Sequence, residues 1–201
     1  MIKVKCKIVF LFFVCSISKM VQAQHATASL LKEPAGWEFE RFDLPPVFAP
    51  SFPYKGVEEL RFSPGMFKKD SADYFTYVFV AQLDNTTAFT QEDVKNYILN
   101  YYKALCSVTA RDRKLSIDTS LITTTIEKKD RSAGNAVIYN ATAGIFGVFD
   151  DGAPVKLNME IKVVSNVNAI KTYLVFIASP KNKNDQVWKK LYEIQEAFIA
   201  P

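Results

Sequence analysis

The stretch Val-Lys-Leu-Asn-Met-Glu-Ile-Lys-Val, residues 155–163, alternates apolar and polar side chains without a break. Because successive side chains of a strand point to opposite faces of a sheet, this period of two predicts an antiparallel strand with one buried face and one solvated face. Asp150-Asp151-Gly152 before it is typical of a hairpin turn. The segment from Ile170 to Ala178 is apolar on both alternating faces, which predicts an interior strand covered on two sides.

The same patterns along the rest of the chain predict three strands, a helix, four strands and a second helix. Thr90 is expected to cap the first helix and Asp185 the second, since apolar residues recur at helical spacing after each of them. This order predicts an α+β fold: one antiparallel sheet of six to seven strands with two helices packed on it. The predicted strands are Trp37–Phe42, Val57–Phe62, Tyr74–Leu83, an edge strand within 115–127, Ala136–Ala143, Val155–Val163 and Ile170–Ala178.

This element order resembles the PsbP family of photosystem II extrinsic proteins and its wider fold superfamily. The best local likeness is a charged hairpin followed by the strand Tyr173-Leu-Val-Phe-Ile-Ala178, a polar turn and the helix that carries Trp188. The resemblance covers Trp37 to Ile199 at the level of elements, and no residue motif accompanies it. It implies an accessory binding protein rather than an enzyme, and it assigns no functional residue.

Residues 1–23 predict a cleavable secretory signal peptide. Lysines precede an apolar run from Ile8 to Ile17, and Val21-Gln22-Ala23 places small side chains where signal peptidase needs them. The apolar run is about half as long as a helix that crosses a ~30 Å hydrocarbon core. We therefore expect cleavage after Ala23, an extracytoplasmic product that is periplasmic or secreted, and no integral membrane span in the mature chain.

Removal of the signal peptide changes the composition of the protein. The whole chain has 25 basic and 21 acidic side chains, but four lysines lie within residues 1–23, which leaves 21 of each sign. A formal charge of zero argues against nucleic acid as a partner. Only Cys106 remains of the cysteines, and we expect it to be a buried, small apolar side chain. Residues 24–35 predict a flexible arm, and residues 36–201 a single α+β domain.

Histidine chemistry is the first class of mechanism that the sequence argues against. The only histidine is His25, which lies in the predicted arm. A Ser-His-Asp triad, a Cys-His pair and a histidine-ligated metal site each need a histidine held by the fold. We therefore expect no metal site and no cofactor.

Glu58 and Glu59 are the acidic residues with the most functional interest. Adjacent strand residues point to opposite faces, so Glu59 shares a face with Arg61 and predicts a surface ion pair. Glu58 points toward apolar neighbours, which could raise its pKa. With Asp43 or Glu38 from the first strand as a second carboxylate, Glu58 could act in a glycosidase-type hydrolase. The alternative is a structural glutamate that reaches solvent or bonds to Lys55.

A connection that interleaves prolines with aromatic residues, Leu44 to Tyr54, follows the first strand and predicts extended chain. Its rings either cover one end of the core or are presented to a sugar or peptide. The ligand-binding candidates on the second view are Phe48, Phe52, Tyr54, Glu58 and Arg61.

Together these features favour a non-enzymatic binding or accessory protein that meets an envelope protein or a glycan. It would use the sheet face or the proline/aromatic connection. The alternatives are the carboxylate-dependent hydrolase that uses Glu58 and a carrier of small apolar ligands, which needs a cavity between sheet and helices.

Overall fold

A computed structural model of the chain describes residues 29–32, 34–84, 89–129 and 136–201. These residues form a seven-stranded antiparallel sheet and two α-helices, which confirms the predicted α+β class. The predicted signal peptide and His25 lie outside the described residues. The elements are β1 (Glu38–Leu44), β2 (Gly56–Phe62), β3 (Tyr77–Asp84), α1 (Gln91–Arg113), a short 3-10 turn (Thr119–Leu121), β4 (Thr123–Lys128), β5 (Ala136–Phe146), β6 (Pro154–Asn166), β7 (Lys171–Ser179) and α2 (Gln186–Glu196).

The strands lie in the order β1-β2-β3-β7-β6-β5-β4. The first three strands form a meander, α1 crosses to the far edge of the sheet, and the last four strands return to the centre. The final strand, β7, therefore pairs with β3, with Phe79 opposite Phe176 in the middle of the ladder. This central position explains why β3 and β7 are apolar on both faces, as the sequence predicted. The Thr-rich edge strand is also confirmed as β4.

One helix packs on each face of the sheet. We call the side that carries α1 the front face and the side that carries α2 the back face. The front-face core includes Leu60, Phe79, Met159, Ile161, Leu174 and Phe176, all buried. The back-face core includes Val78, Val80, Val175, Ile177, Trp188 and Leu191. The two interior strands thus receive the cover on both sides that their composition requires.

The ends of the helices match the sequence predictions in part. The Thr90 hydroxyl accepts a hydrogen bond from the Asp93 amide, while the Asp93 carboxylate accepts one from the Thr90 amide, so a complete capping box starts α1. Asp185 occupies the N-cap position of α2 but makes no side-chain capping bond. Cys106 is buried on α1, as expected. No helix in the described part of the chain is long and apolar enough to span a membrane.

The start of the described chain differs from the predicted flexible arm. Leu31 is only 1% exposed and belongs to the back-face core, beside α2. The prediction of a loose arm is therefore wrong for residues 29–31, because these residues cover a part of the sheet that α2 leaves open.

The back face beyond α2 has no such cover. α2 packs on β7 and β3, and its Tyr192 reaches only as far as Glu160 on β6. Most of the side chains that β4 and β5 direct to this face are exposed or partly exposed, among them Thr125, Asn140 and Thr142, whereas Ala136 at the start of β5 is buried. One half of the back face is consequently an open polar surface.

Candidate functional site

Glu58 lies fully buried on the front face, beneath α1. The Tyr101 hydroxyl donates a hydrogen bond to its Oε1 atom at 2.7 Å, and the Tyr97 hydroxyl donates to its Oε2 atom at 3.0 Å. The side chain is 0% exposed. The expectation of apolar surroundings is confirmed, and the alternative of a glutamate that reaches solvent is wrong. Two tyrosines one helical turn apart on α1 supply the polar contacts that a buried carboxyl group needs.

Burial raises the pKa of Glu58 to about 7, against the lowering effect of the hydrogen bonds from Tyr101 and Tyr97, and the charge of Glu40 raises it further. The pKa values of both tyrosines lie well above 10, first because they are buried and then because of the charge on Glu58. Both phenols therefore remain neutral donors, and the proton equilibrium of the cluster resides in Glu58.

The structure does not bring the predicted second carboxylate to Glu58. Asp43 pairs with Val57 in the β1–β2 ladder, which places it on the back face, exposed and on the other side of the sheet from Glu58. Glu38 is on the same face as Glu58, but it is exposed and pairs with Phe62 at the far end of β2. The expected partnership of Glu58 with Asp43 is therefore wrong, because register and pleat separate the two side chains. A fully buried Glu58 also lacks the open substrate cleft that a glycosidase requires.

The proline/aromatic connection covers the tyrosines around Glu58. The Phe52 ring packs edge-on against Tyr97 with 4.8 Å between ring centroids, and Phe48 packs edge-on against Tyr101 at 5.2 Å. Tyr54 lies 5.2 Å from Phe52 in the same cluster. These contacts are those of a cover over the end of the core. The rings of Phe48, Phe52 and Tyr54 thus face the protein rather than a ligand.

Glu59 and Arg61 form a buried ion pair on the back face. The Arg61 Nη2 atom lies 2.7 Å from Glu59 Oε1, and neither side chain is exposed. The partly exposed Arg41 adds a second bond of 2.9 Å to Glu59, and the Phe39 ring lies 4.4 Å from the Arg61 guanidinium carbon. The pairing is as predicted, but its location on the surface is not, because residues 29–31 lie over it.

This ion pair binds the start of the described chain. Glu59 accepts hydrogen bonds from the Ser29 hydroxyl and from the Leu30 and Leu31 amides, at 2.7–3.0 Å. Arg61 donates to the Leu31 carbonyl at 2.8 Å. Burial alone would raise the pKa of Glu59, but these hydrogen bonds and the Arg61 charge hold it below its usual value. The group that Arg61 binds is therefore a segment of its own chain.

An open groove of about 270 Å³ lies on the uncovered half of the back face. It crosses β4, β5 and β6 and ends at the loop before α2. We call it the back-face groove, and its polar lining consists of Thr125, Glu127, Asn140, Thr142, Asn158 and Lys183. This site was not among the sequence predictions. The available signal was the alternation of Asn140 and Thr142 with apolar neighbours in β5, which marks them as residues of a solvated face.

Lys183 is the cation of the back-face groove. Its ammonium group donates a hydrogen bond to the side-chain Oδ1 atom of Asn140 and lies 5.4 Å from the centre of the Trp188 ring. Partial burial lowers the pKa of Lys183, with the charge of Glu160 acting in the opposite direction. Glu160 itself is paired at 2.5 Å with Lys129. Within the described ranges no carboxylate lies at ion-pair distance from Lys183.

A larger groove of about 520 Å³ lies beside the first turn of α2. Two of its charged lining residues, Asp73 and Lys190, have partners within the chain. Asp73 accepts a bond of 3.0 Å from the Gly65 amide, and Lys190 lies 3.2 Å from Glu193. We favour the smaller groove as the binding site, because its lining is mainly polar and brings the partly buried Lys183 ammonium group beside hydroxyl and amide groups.

The fold and this site define a class: a three-layer α+β domain with an open polar groove on one half of its sheet. A scan against protein-family models and a search of curated proteins both find no match to the chain.

Proposed function

We propose that this protein is a non-enzymatic binding or accessory protein that acts outside the cytoplasm, in the periplasm or after secretion, and binds an envelope component in the back-face groove. The proposed location outside the cytoplasm rests on the signal peptide pattern of residues 1–23. The resemblance to the PsbP superfamily that we infer from the element order supports an accessory role in the same way.

The open groove is the observation that carries the proposal. α1 and the proline/aromatic connection cover the front face, and α2 with residues 29–31 covers the centre of the back face. The groove instead keeps hydroxyl, amide and ammonium groups at the surface, where several of them converge. A concave site with a few convergent polar groups is the usual form of a ligand site. The buried position of Glu58 favours binding over hydrolysis.

The proposed location outside the cytoplasm can be tested in the native host. Expression of the full chain should yield a product that begins at Gln24 and is found outside the cytoplasm, because the cleavage site follows Ala23. Ala23→Arg should block cleavage, since signal peptidase does not accept a large charged side chain there, whereas Ala26→Arg should not. Intact mass and cell fractionation measure both results. A product that retains residues 1–23 in the cytoplasm would contradict the proposal.

The proposed binding site can be tested by filling the groove. Thr142 lies on β5 within the groove, so Thr142→Trp should block ligand entry while a large side chain suits a strand. Ser107→Trp places the same ring on the exposed side of α1, on the other face of the sheet. Immobilised residues 24–201 and the Ser107→Trp variant should retain the same envelope component from a native extract, and Thr142→Trp should lose it.

Protein and glycan fractions of the eluate would be identified separately, by peptide mass and by sugar composition. Retention of no envelope component, or equal retention by the Thr142→Trp variant, would count against the groove as the binding site.

A further inference from the structure

We infer that the ligand of the back-face groove is an acidic glycan, held by a sugar carboxylate on the Lys183 ammonium and by sugar hydroxyls on neighbouring polar side chains. This inference rests on the proposed function and names the ligand class of the same site.

Lys183 has no carboxylate at ion-pair distance among the described residues. Its ammonium group is partly buried, and its observed partners, the Asn140 oxygen and the Trp188 ring, are both neutral. Removing a cation from water without a counter-ion costs free energy, which a ligand anion at the same point would offset. Lys129, the neighbouring lysine, differs because Glu160 already neutralises it at 2.5 Å. The groove thus has one place for an external carboxylate.

Neutral hydroxyl and amide side chains lie beside Lys183 in the groove. Thr125 of β4 and Thr142 of β5 are directly opposite each other in the ladder. Their side chains therefore stand about 5 Å apart on the same face. Asn158 on β6 lines the groove and donates its side-chain amide nitrogen to the Lys181 carbonyl at 3.1 Å, so its side-chain oxygen remains an acceptor. Hydroxyl and amide groups at this spacing suit a ligand that carries several hydroxyls.

Lysine side chains surround the groove on the back face. Lys156 and Lys162 follow the same alternation as Asn158 on β6 and so share the back face. Glu160, between them, is paired with Lys129, and Glu127 is the carboxylate among the groove's lining residues. Although the predicted mature chain has equal numbers of acidic and basic residues, this face is locally positive. A positive surface attracts an anionic ligand and orients its approach.

The shape of the groove favours a glycan over an acidic peptide. Peptide sites usually combine strand pairing or a charge with a deep apolar pocket for an anchoring side chain. The back-face groove is shallow, lies across three strands rather than along an edge, and is lined mainly by polar groups. At about 270 Å³ it is slightly smaller than a site for a drug-sized ligand, so it fits one sugar unit of a longer chain.

The test compares an acidic glycan with its uncharged methyl ester and with a second acidic glycan. Tetragalacturonate and its fully methyl-esterified form have the same hydroxyls, but the ester has no carboxylate; a hyaluronan tetrasaccharide provides a second uronate. Titration calorimetry on residues 24–201 should show binding of at least one uronate, a weaker interaction with the ester, and loss of affinity at high salt. Lys183→Gln should weaken uronate binding about tenfold or more, as expected for loss of a charge-assisted hydrogen bond.

Two further variants separate a direct role of Lys183 from an effect on folding or on total charge. Asn140→Asp places a competing carboxylate on the Lys183 ammonium without changing side-chain size, so it should weaken uronate binding to a similar extent. Lys103→Gln removes one positive charge from α1 on the other face and should leave the affinity unchanged. Thermal unfolding of each variant shows that the comparison is between folded proteins.

Equal affinity for acid and ester, or an unchanged affinity in both Lys183→Gln and Asn140→Asp, would overturn the inference. Binding of poly-glutamate in place of both uronates would overturn it in favour of an acidic peptide. If neither uronate binds but envelope capture still depends on Thr142, the inference fails and the proposed function stands. If that capture is absent too, both fail.

Discussion

Arg61→Met should lower the free energy of unfolding by about 3–5 kcal/mol, the usual cost of removing one partner of a buried ion pair. The change leaves the Glu59 carboxylate buried with only Arg41 to neutralise it, and it removes a donor from the Leu31 carbonyl. Residues 29–31 should therefore detach from the sheet. Urea unfolding measures the loss in stability, and amide hydrogen exchange at Leu30 and Leu31 measures the detachment.

Arg41→Met is the matched control for this prediction. Arg41 contacts the same carboxylate with nearly the same distance, 2.9 Å, but its side chain is 23% exposed. Solvent screens its charge, so its removal should cost no more than about 1 kcal/mol and leave exchange at Leu31 slow. Equal losses in the two variants would show that burial of the Glu59–Arg61 pair does not determine its contribution.

The second large effect is a fall in stability between about pH 4.5 and pH 7, caused by Glu58. Its pKa is about 7 in the folded protein, against an ordinary value of 4.5. The folded state therefore binds more protons than the unfolded state within this window, and stability decreases as pH rises through it. At ~1.4 kcal/mol per pH unit, the total loss is about 3 kcal/mol, complete just above pH 7.

Burial also raises the pKa of Glu40, so this carboxyl group contributes to the pH dependence in the same window. The only histidine of the chain is His25, and it falls in the segment that the predicted mature chain carries before Ser29. The pKa values of Glu59 and Asp73 are lowered by their hydrogen bonds, so these groups titrate below the window. Urea unfolding at half-unit steps from pH 4.5 to 8 should therefore report on Glu58 and Glu40, and a variant of Glu58 separates the two contributions.

Glu58→Gln should remove most of the pH dependence. The amide keeps the shape of the side chain and can hydrogen-bond to Tyr97 and Tyr101, but it has no charge to bury. The variant should match the native protein near pH 4.5 and exceed its stability by about 3 kcal/mol near pH 8. Glu127→Gln, on exposed β4, is the control and should keep the native profile. A native protein with constant stability from pH 4.5 to 7.5 would show that Glu58 titrates normally.

The proposed site and these two buried networks have different roles. The hydrogen bonds of Glu58 fix α1, with the proline/aromatic connection that packs on it, to the front face of the sheet. The Glu59–Arg61 pair fixes residues 29–31 to the back face. Their charged groups are satisfied within the chain. Lys183, in contrast, has no described carboxylate at ion-pair distance. For this reason we assign Glu58 and Glu59 a structural role and Lys183 a role in binding.

The element order could be derived from the sequence because the relevant signals are local. Alternation within residues 155–163 and apolar spacing after Thr90 depend on neighbours only a few positions away. The ends of elements moved by a few residues; β5, for example, continues to Phe146 rather than Ala143. Asp185 was the right position for a helix start, although its side chain makes no cap bond.

The environments of Glu58 and Glu59 could be derived only in part. Alternation along β2 places the two carboxylates on opposite faces, and this holds in the structure. What covers each face depends on chain far away in sequence: Tyr97 and Tyr101 on one side, residues 29–31 on the other. For this reason a surface ion pair was expected where a buried one exists, and a carboxylate partner was expected where two phenols lie.

The sequence by itself determined the fold class, because the class follows from local periodicity. From composition and the signal peptide pattern it also predicted a location outside the cytoplasm and argued against a mechanism that uses histidine. Only the tertiary structure decided the site. The back-face groove combines Thr125, Thr142, Asn158 and Lys183, which belong to three strands and a loop. Their meeting depends on the register of β4 to β6 and on where α2 stops covering the sheet, and both are set by contacts between residues distant in the chain.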